Sequence, residues 1–390
     1  MKKVMIMLLF PLFMISNAQA QICVWNMESL AQAKANNTKE VQLILKDADK
    51  KLAQTITTVI DKEMTPSSGD KHDYMSMGRY WWPDTTKTDG LPYIRKDGQS
   101  NPEIEKLDRY PLSNFAKSIE SLSLAYYLTS DEKYAQKAVE NLRIWFINQE
   151  TKMNPNMNYG QTIPGVNSGM GRGEGILDTY SFFEMLDAVE ILKKSKTFTN
   201  QDQIVIKNWF KTYVNWLQTA TVAAEERTAK NNHGTAFDVQ LVRYAIFIGD
   251  QDLAKKIVNE FAENRLFKQI EADGAQLLEL ARTTGLGYAT FNLTHFLDMA
   301  QMAKILDIDL IHKQSQDGRS ILKAIDYLVQ YVNKPQSVFP YQQIKDWDGV
   351  QGKLMWQLYR VDKMLEKPMY QKYYKGKLSG VKKNNESILY

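Results

Sequence analysis

Two stretches about fifty residues apart carry side chains whose types and spacing can do chemistry. Asn231-Asn232-His233-Gly234 places an imidazole beside two side-chain amides, just ahead of an apolar run. Glu279-Leu280-Ala281-Arg282-Thr283-Thr284-Gly285-Leu286-Gly287-Tyr288 places a guanidinium six residues before a phenol, across a glycine-bearing turn. Together they offer a fixed positive charge, amide donors and two groups that can carry a proton. A site that neutralises a sugar carboxylate and then moves protons needs this set.

The matching chemistry is β-elimination on a 4-linked uronic acid polymer. The C5 proton is only weakly acidic while the adjacent carboxylate keeps its charge. That charge must first be offset; then a base takes the C5 proton and an acid protonates the oxygen leaving C4, each contributing about 10²–10⁴-fold. His233 can be the base, or the neutralising group if protonated. Asn231 or Asn232 can donate to the carboxylate, and Arg282 offers a two-pronged fork. Tyr288, with an ordinary phenol pKa of about 10, is expected to titrate lower if Arg282 lies close. Glu226 can share a proton with the substrate carboxylate if buried. Each residue also has a plainer reading: a histidine capping a helix start, a tyrosine packed after a turn, Glu225 and Glu226 on a solvated face.

Other chemistries fit less well. His72, His233, His295 and His312 are not closely paired and Cys23 is the single cysteine, so neither a metal site nor a cofactor is expected. No motif supports nucleophilic serine or cysteine catalysis. Hydrolysis needs two facing carboxylates, which Glu174, Asp178 and Glu279 can supply, so a glycoside hydrolase is the enzymatic alternative. A non-catalytic exported glycan-binding protein is the other.

Met1-Lys2-Lys3, an apolar run from Val4 to Ile15 and Asn17-Ala18-Gln19-Ala20 read as a cleavable signal peptide over residues 1–20, hence a periplasmic or secreted protein. Lipid anchoring at Cys23 is the lesser alternative, since Gln19-Ala20-Gln21-Ile22 is no lipobox. The run is too short to span a membrane. Loss of Lys2 and Lys3 brings the net charge from +4 to about +2, which argues against nucleic acid as a partner. With no linker or low-complexity run, residues 21–390 are expected to form one domain, as a monomer.

The elements that must position the groups are helices. Apolar spacing marks helices over 43–60, 112–128, about 131–147, 176–192, 201–217, 236–248, 252–265, 289–306, 321–332 and 352–365. Thr129-Ser130-Asp131 and Gly249-Asp250 each break one helix and start the next. Strand alternation is absent. Successive helical hairpins point to an all-α fold, an (α/α) toroid with its connecting loops gathered at one end. Three loops look rich enough to build a site there. Residues 66–111 hold Tyr74, Arg79, Tyr80 and Trp82. Residues 154–174 hold Gln161, Asn167 and Arg172 among glycines that let backbone approach a ligand. Lys230 to Gly234 is the third; Trp347 is a further loop aromatic.

Tyr74-Met75-Ser76-Met77-Gly78-Arg79-Tyr80-Trp81-Trp82-Pro83, Asn231-Asn232-His233-Gly234 and the Arg282–Tyr288 spacing resemble the alginate lyase superfamily over residues 40–365 or so. The six-residue spacing most resembles polysaccharide lyase family 38; family 5 carries a similar Asn-Asn-His but a more basic run where Thr283-Thr284-Gly285 stand here. The resemblance implies an (α/α) toroid and a metal-free lyase acting on alginate or a related polyuronate such as glucuronan. It also implies Tyr288 and His233 as catalytic groups, supported by Asn232, Arg282 and Glu226.

Overall fold

The computed structural model describes residues 22–378 and 388–390; the expected signal peptide lies outside them. Helix follows helix. The chain runs through α1 (Met27–Asn36), α2 (Lys39–Leu52), α3 (Arg109–Thr129), α4 (Glu132–Phe146), α5 (Phe182–Leu192), α6 (Asn200–Thr219), α7 (Thr221–Thr228), α8 (Asn232–Ile248) and α9 (Gln251–Phe261). The short α10 (Phe267–Gln269) and α11 (Leu277–Leu280) lead into α12 (Gly285–Ile305), α13 (Ile321–Val329), α14 (Trp347–Met364) and α15 (Gln371–Tyr374).

Local chemistry sets the reversals. Ser130 closes α3 at φ 60°, and the Asp131 carboxylate accepts the Lys133 amide to start α4. Gly249 closes α8 at φ 83°, a left-handed turn where glycine has no side chain to clash, and Asp250 caps α9. The paired helices α3–α4 and α8–α9 therefore turn back on themselves within two residues, as the two breaks predict. Helices α8 and α12 are buried along most of their length and form inner walls. Helices α4, α9 and α13 bury one face only and lie outside. Helix α8 packs against α6, α9 and α12, α12 against α14, and α3 against α2, α4 and α5. One apolar cluster runs from Cys23 to Tyr390. At its heart Arg243 and Asp187, both fully buried, pair at 2.7 Å, and Asp187 also accepts the amides of Cys23, Val24 and Trp25. Cys23 itself is buried, its sulfur 3.1 Å from Arg243 Nη1.

Three local expectations change. The helix expected over 43–60 stops at Leu52, because the β-branched Thr55-Ile56-Thr57-Thr58-Val59 disfavours helix. The helix expected from Ile176 begins as a 3₁₀ segment, Gly173–Ser181. Short strands do occur: β1 (Met75–Met77) pairs in parallel with β4 (Tyr159–Thr162), and β2 (Trp81–Trp82) runs antiparallel to β3 (Ile94–Arg95). At two to four residues they leave no alternation to read. They matter because β1–β4 stitches the two long loops together and β2–β3 folds the first of them on itself. The loop glycines serve the same end rather than a ligand: a Cβ on Gly171 or Gly175 would collide with the backbone of Gly160.

Candidate active site

A cleft of about 420 Å³ opens between the stitched loops and the N-terminal ends of α8 and α12. Asn232 and His233 open α8, Tyr288 lies in the first turn of α12, and Arg282 sits in the turn between α11 and α12. From the facing loops come Arg79, Tyr80, Gln161 and Arg172. Two helix N-termini carry partial positive charge toward this space, and the arginines add to it, so the cleft suits an anionic ligand.

Tyr288 is the focus. Its hydroxyl accepts a bond from Arg282 Nη2 at 2.8 Å and lies 3.3 Å from the Tyr80 hydroxyl. Arg282 is fixed in turn by Asp97 Oδ1 at 2.9 Å, and Thr283 Oγ1 donates to the other oxygen of the same carboxylate. Proximity of Arg282 does not lower the Tyr288 pKa as expected. Burial and the Tyr80 hydrogen bond outweigh the guanidinium, so Tyr288 is held above its ordinary value and rests as a phenol.

His233 presents Nδ1 to Glu226 Oε1 at 2.6 Å. Burial alone would lower the imidazole pKa; the facing Glu226 carboxylate, with Glu174 and Glu279 further off, more than offsets it, and the net shift is upward. Glu226 is 2% exposed and stands behind His233 rather than lining the cleft. Asn232 is gripped from behind by Glu279, which accepts both its backbone amide, at 2.7 Å, and its side-chain Nδ2, at 2.6 Å.

Eight of the expected residues thus line one cleft, and the remainder are placed elsewhere. Tyr74 is fully buried and donates its hydroxyl to Asp178, so no ligand reaches it. Trp82 lies outside the cleft lining, its Nε1 bonded to Gln99 O; the neighbouring Trp81 takes the inward place, 5.8 Å from Arg172. Adjacent strand residues point to opposite faces, so choosing the wrong one of two tryptophans reverses the outcome. Asn231 caps α8, its side chain accepting the His233 amide. Asn167 is exposed outside the cleft, and Trp347 packs on Phe339 with Nε1 bonded to Lys334 O.

Sequence reading also misses Arg95, Arg109, Phe291, Gln343, Lys345 and Lys353, which are among the other residues of the lining. Phe291 was findable, one turn after Tyr288 on the same helix face. The others come from β3, the start of α3, α14 and the loop before α14, whose approach to the cleft no local pattern encodes. Of the carboxylates considered for hydrolysis, Glu174 lines the cleft, paired with Arg172 at 2.8 Å. Asp178 and Glu279 are buried, against Arg109 and Asn232. These three therefore do not face one another across the cleft. A larger cavity of about 800 Å³ lies among α2, α3, α12 and α14, but there Asp298 is bound by Arg360 and Tyr180 and gathers no comparable set. Among the described residues no group of three or more His, Cys, Asp or Glu side chains is arranged to hold a metal, and no helix is long and apolar enough to cross a membrane.

The family model described as alginate lyase matches residues 58–338. The chain belongs to the alginate lyase family. By that membership it is a polysaccharide lyase. A crystal structure of an alginate lyase from Bacteroides ovatus is similar over 96% of this chain and 98% of that one, with 51% identity and a TM-score of 0.90. Alginate lyase A1-III from Sphingomonas species A1 matches 87% of this chain and 89% of its own at 15% identity, TM-score 0.52. A histidine-to-alanine variant of A1-III complexed with tetrasaccharide matches 89% of this chain and 88% of its own, at 15% identity and a TM-score of 0.58. At such identity the A1-III likeness is one of fold, and it is the helical toroid that they share. No curated protein sequence matches this one.

Proposed function

We propose that this chain cleaves 4-linked polyuronates, alginate above all, by metal-independent β-elimination, with Tyr288 as the proton carrier. The observation that carries the reading is the bond from Arg282 Nη2 to the Tyr288 hydroxyl, 2.8 Å long, in a cationic cleft shared with His233 and Asn232. A guanidinium held on the phenol oxygen stabilises the phenolate that must form there. That phenolate takes the C5 proton. The C–H electron pair becomes the C4=C5 double bond, the C4–O bond breaks with its pair on oxygen, and Tyr288 returns the proton to that oxygen. The products are a new non-reducing 4,5-unsaturated uronate end and a new reducing end, because the protonated oxygen stays on C1 of the other fragment. His233, kept protonated by Glu226, and Asn232 offset the substrate carboxylate, while Arg79, Gln161 and Arg172 hold neighbouring sugars.

This division favours mannuronate. Its C5 hydrogen and C4 oxygen share one ring face, so one residue can serve as base and then as acid. Guluronate requires groups on opposite faces, and the raised pKa of His233 opposes its use as the second base. The six-residue Arg282–Tyr288 spacing, with Thr283-Thr284-Gly285 where family 5 is basic, supports placement in polysaccharide lyase family 38. The leader-like residues 1–20 support a periplasmic or secreted location.

The test is incubation with polymannuronate, polyguluronate and glucuronan while near-ultraviolet absorbance is followed. Unsaturated ends should form fastest from polymannuronate, and exhaustive chelation should leave most of the rate. Hydrated reducing ends without absorbance would make the protein a hydrolase. Binding without turnover would make it a glycan-binding protein.

A further inference from the structure

Two motifs remote in sequence meet at one side chain that neither the proton transfers nor the sugar contacts above employ. Glu279 is 2% exposed and lies outside the cleft lining, three residues before Arg282. Oε1 accepts the backbone amide of Asn232 at 2.7 Å and Oε2 accepts Nδ2 of the same residue at 2.6 Å. Asn232 is the first residue of α8, where amides have no partner within the helix. The Asn231 side chain takes the His233 amide and leaves the Asn232 amide to Glu279.

We propose that Glu279 is a positioning residue for the reaction: it fixes the Asn232 amide so that a donor faces the substrate carboxylate, and it docks the Asn-Asn-His turn onto the Arg282–Tyr288 turn.

A second observation supports this. Asn232 Oδ1 is buried and has no hydrogen-bond partner. Left to itself, a side-chain amide turns over to satisfy both its ends. A carboxylate only accepts, so Glu279 admits the NH₂ end and excludes the oxygen. One Nδ2 hydrogen is then committed to Glu279. The other, on the same nitrogen of a residue that lines the cleft, then has one orientation. The bond is charge-assisted, which makes it stronger than a neutral pair. Burial raises the Glu279 carboxyl pKa despite these bonds, while His233 and Arg282 nearby favour its ionised form. Negative charge grows on the uronate carboxylate as the C5 proton leaves. A donor fixed beforehand at that position lowers the barrier without reorganising, and losing one such donor typically costs about 10²–10³-fold in kcat.

The inference rests on the β-elimination reading, and a double-mutant cycle on polymannuronate separates the two. If the wild type forms no unsaturated uronate, the functional reading fails. If it does, Glu279→Gln should lower kcat by roughly 10²-fold, as loss of one oriented donor does, with KM within about threefold. Asn232→Ala should lose a comparable amount, and the double variant should lose at most about threefold more than Asn232→Ala, because Glu279 acts through Asn232. A Glu279→Gln protein keeping more than about a third of wild-type kcat, or losses that multiply in the double variant, would overturn the proposal. Should Glu279→Gln not fold, Glu279→Asp keeps the charge but reaches only one of the two donors. It should melt near the wild-type temperature with kcat reduced. Full activity in Glu279→Asp, or failure of both variants to fold, would make Glu279 a structural helix cap and nothing more.

Discussion

Arg282 holds Tyr288 in two ways: Nη2 donates to the phenol oxygen at 2.8 Å, and the guanidinium carbon lies 3.9 Å from the ring centroid. The cation therefore touches both the face of the ring and the atom on which charge must appear. Yet burial and Tyr80 leave the phenol protonated at rest. The arginine is thus placed to stabilise a phenolate during turnover rather than to store one.

Removing only that oxygen tests the assignment. Tyr288→Phe should fold as the wild type does by circular dichroism and lose at least the 10²–10⁴-fold expected of one general acid–base group, on both polymannuronate and polyguluronate. Retention of more than about a tenth of wild-type kcat/KM, short of that range, would remove Tyr288 from the mechanism.

The pH profile should carry the Glu226–His233 pair. A raised His233 pKa keeps the imidazolium charged to higher pH than the ordinary value of about 6.5. Activity that needs a Tyr288 phenolate climbs as pH rises toward the His233 pKa. It then levels, because each further gain in phenolate is matched by a loss of imidazolium. In Glu226→Gln the facing charge is gone and only Glu174 and Glu279 still oppose burial, so the His233 pKa falls and the acid-side break in kcat/KM should move to lower pH. A break that stays in place would mean it belongs to another group.

The two adjacent tryptophans should separate. Trp81 lines the cleft beside Arg172, whereas Trp82 is outside that lining, under Lys96. Trp81→Ala should raise KM on alginate about fivefold, the scale of one lost aromatic–cation platform of around 1 kcal/mol. Trp82→Ala should change KM less. Steady-state kinetics on both variants decides, and a larger effect at Trp82 would reverse the assignment of faces.

Stability should depend on a pair far from the cleft. Arg243 and Asp187 are both fully buried, and Asp187 also anchors three amides at residues 23–25. Asp187→Ala strands a buried guanidinium and should cost about 3–5 kcal/mol in urea unfolding. A loss below about 1 kcal/mol, the scale of an exposed pair, would show that solvent reaches the site.

Much of this protein was legible without coordinates. Helical spacing of apolar residues reports one buried face directly, so the hairpins flanking Ser130 and Gly249 could be read from the chain. The Arg282–Tyr288 and Asn232–His233 pairs were legible because each is local: a few residues at the start of a helix hold them together whatever surrounds them. Other features depended on neighbours that sequence distance conceals. Glu226 reaches His233 because α7 and α8 fold against each other. Tyr74 vanishes into the core while Trp81 enters the cleft, since pairing of strands of two to four residues settles which face each side chain takes. The direction of the Tyr288 pKa belongs to the same class. Arg282 was visible in the sequence and pulls it down, but the burial and the Tyr80 hydroxyl that push it up arise only when loops 208 residues apart close over the ring. Local chemistry chose the groups, and the neighbours that tertiary folding brought, burial and Tyr80 at Tyr288 and carboxylates at His233, decided the direction of each pKa shift.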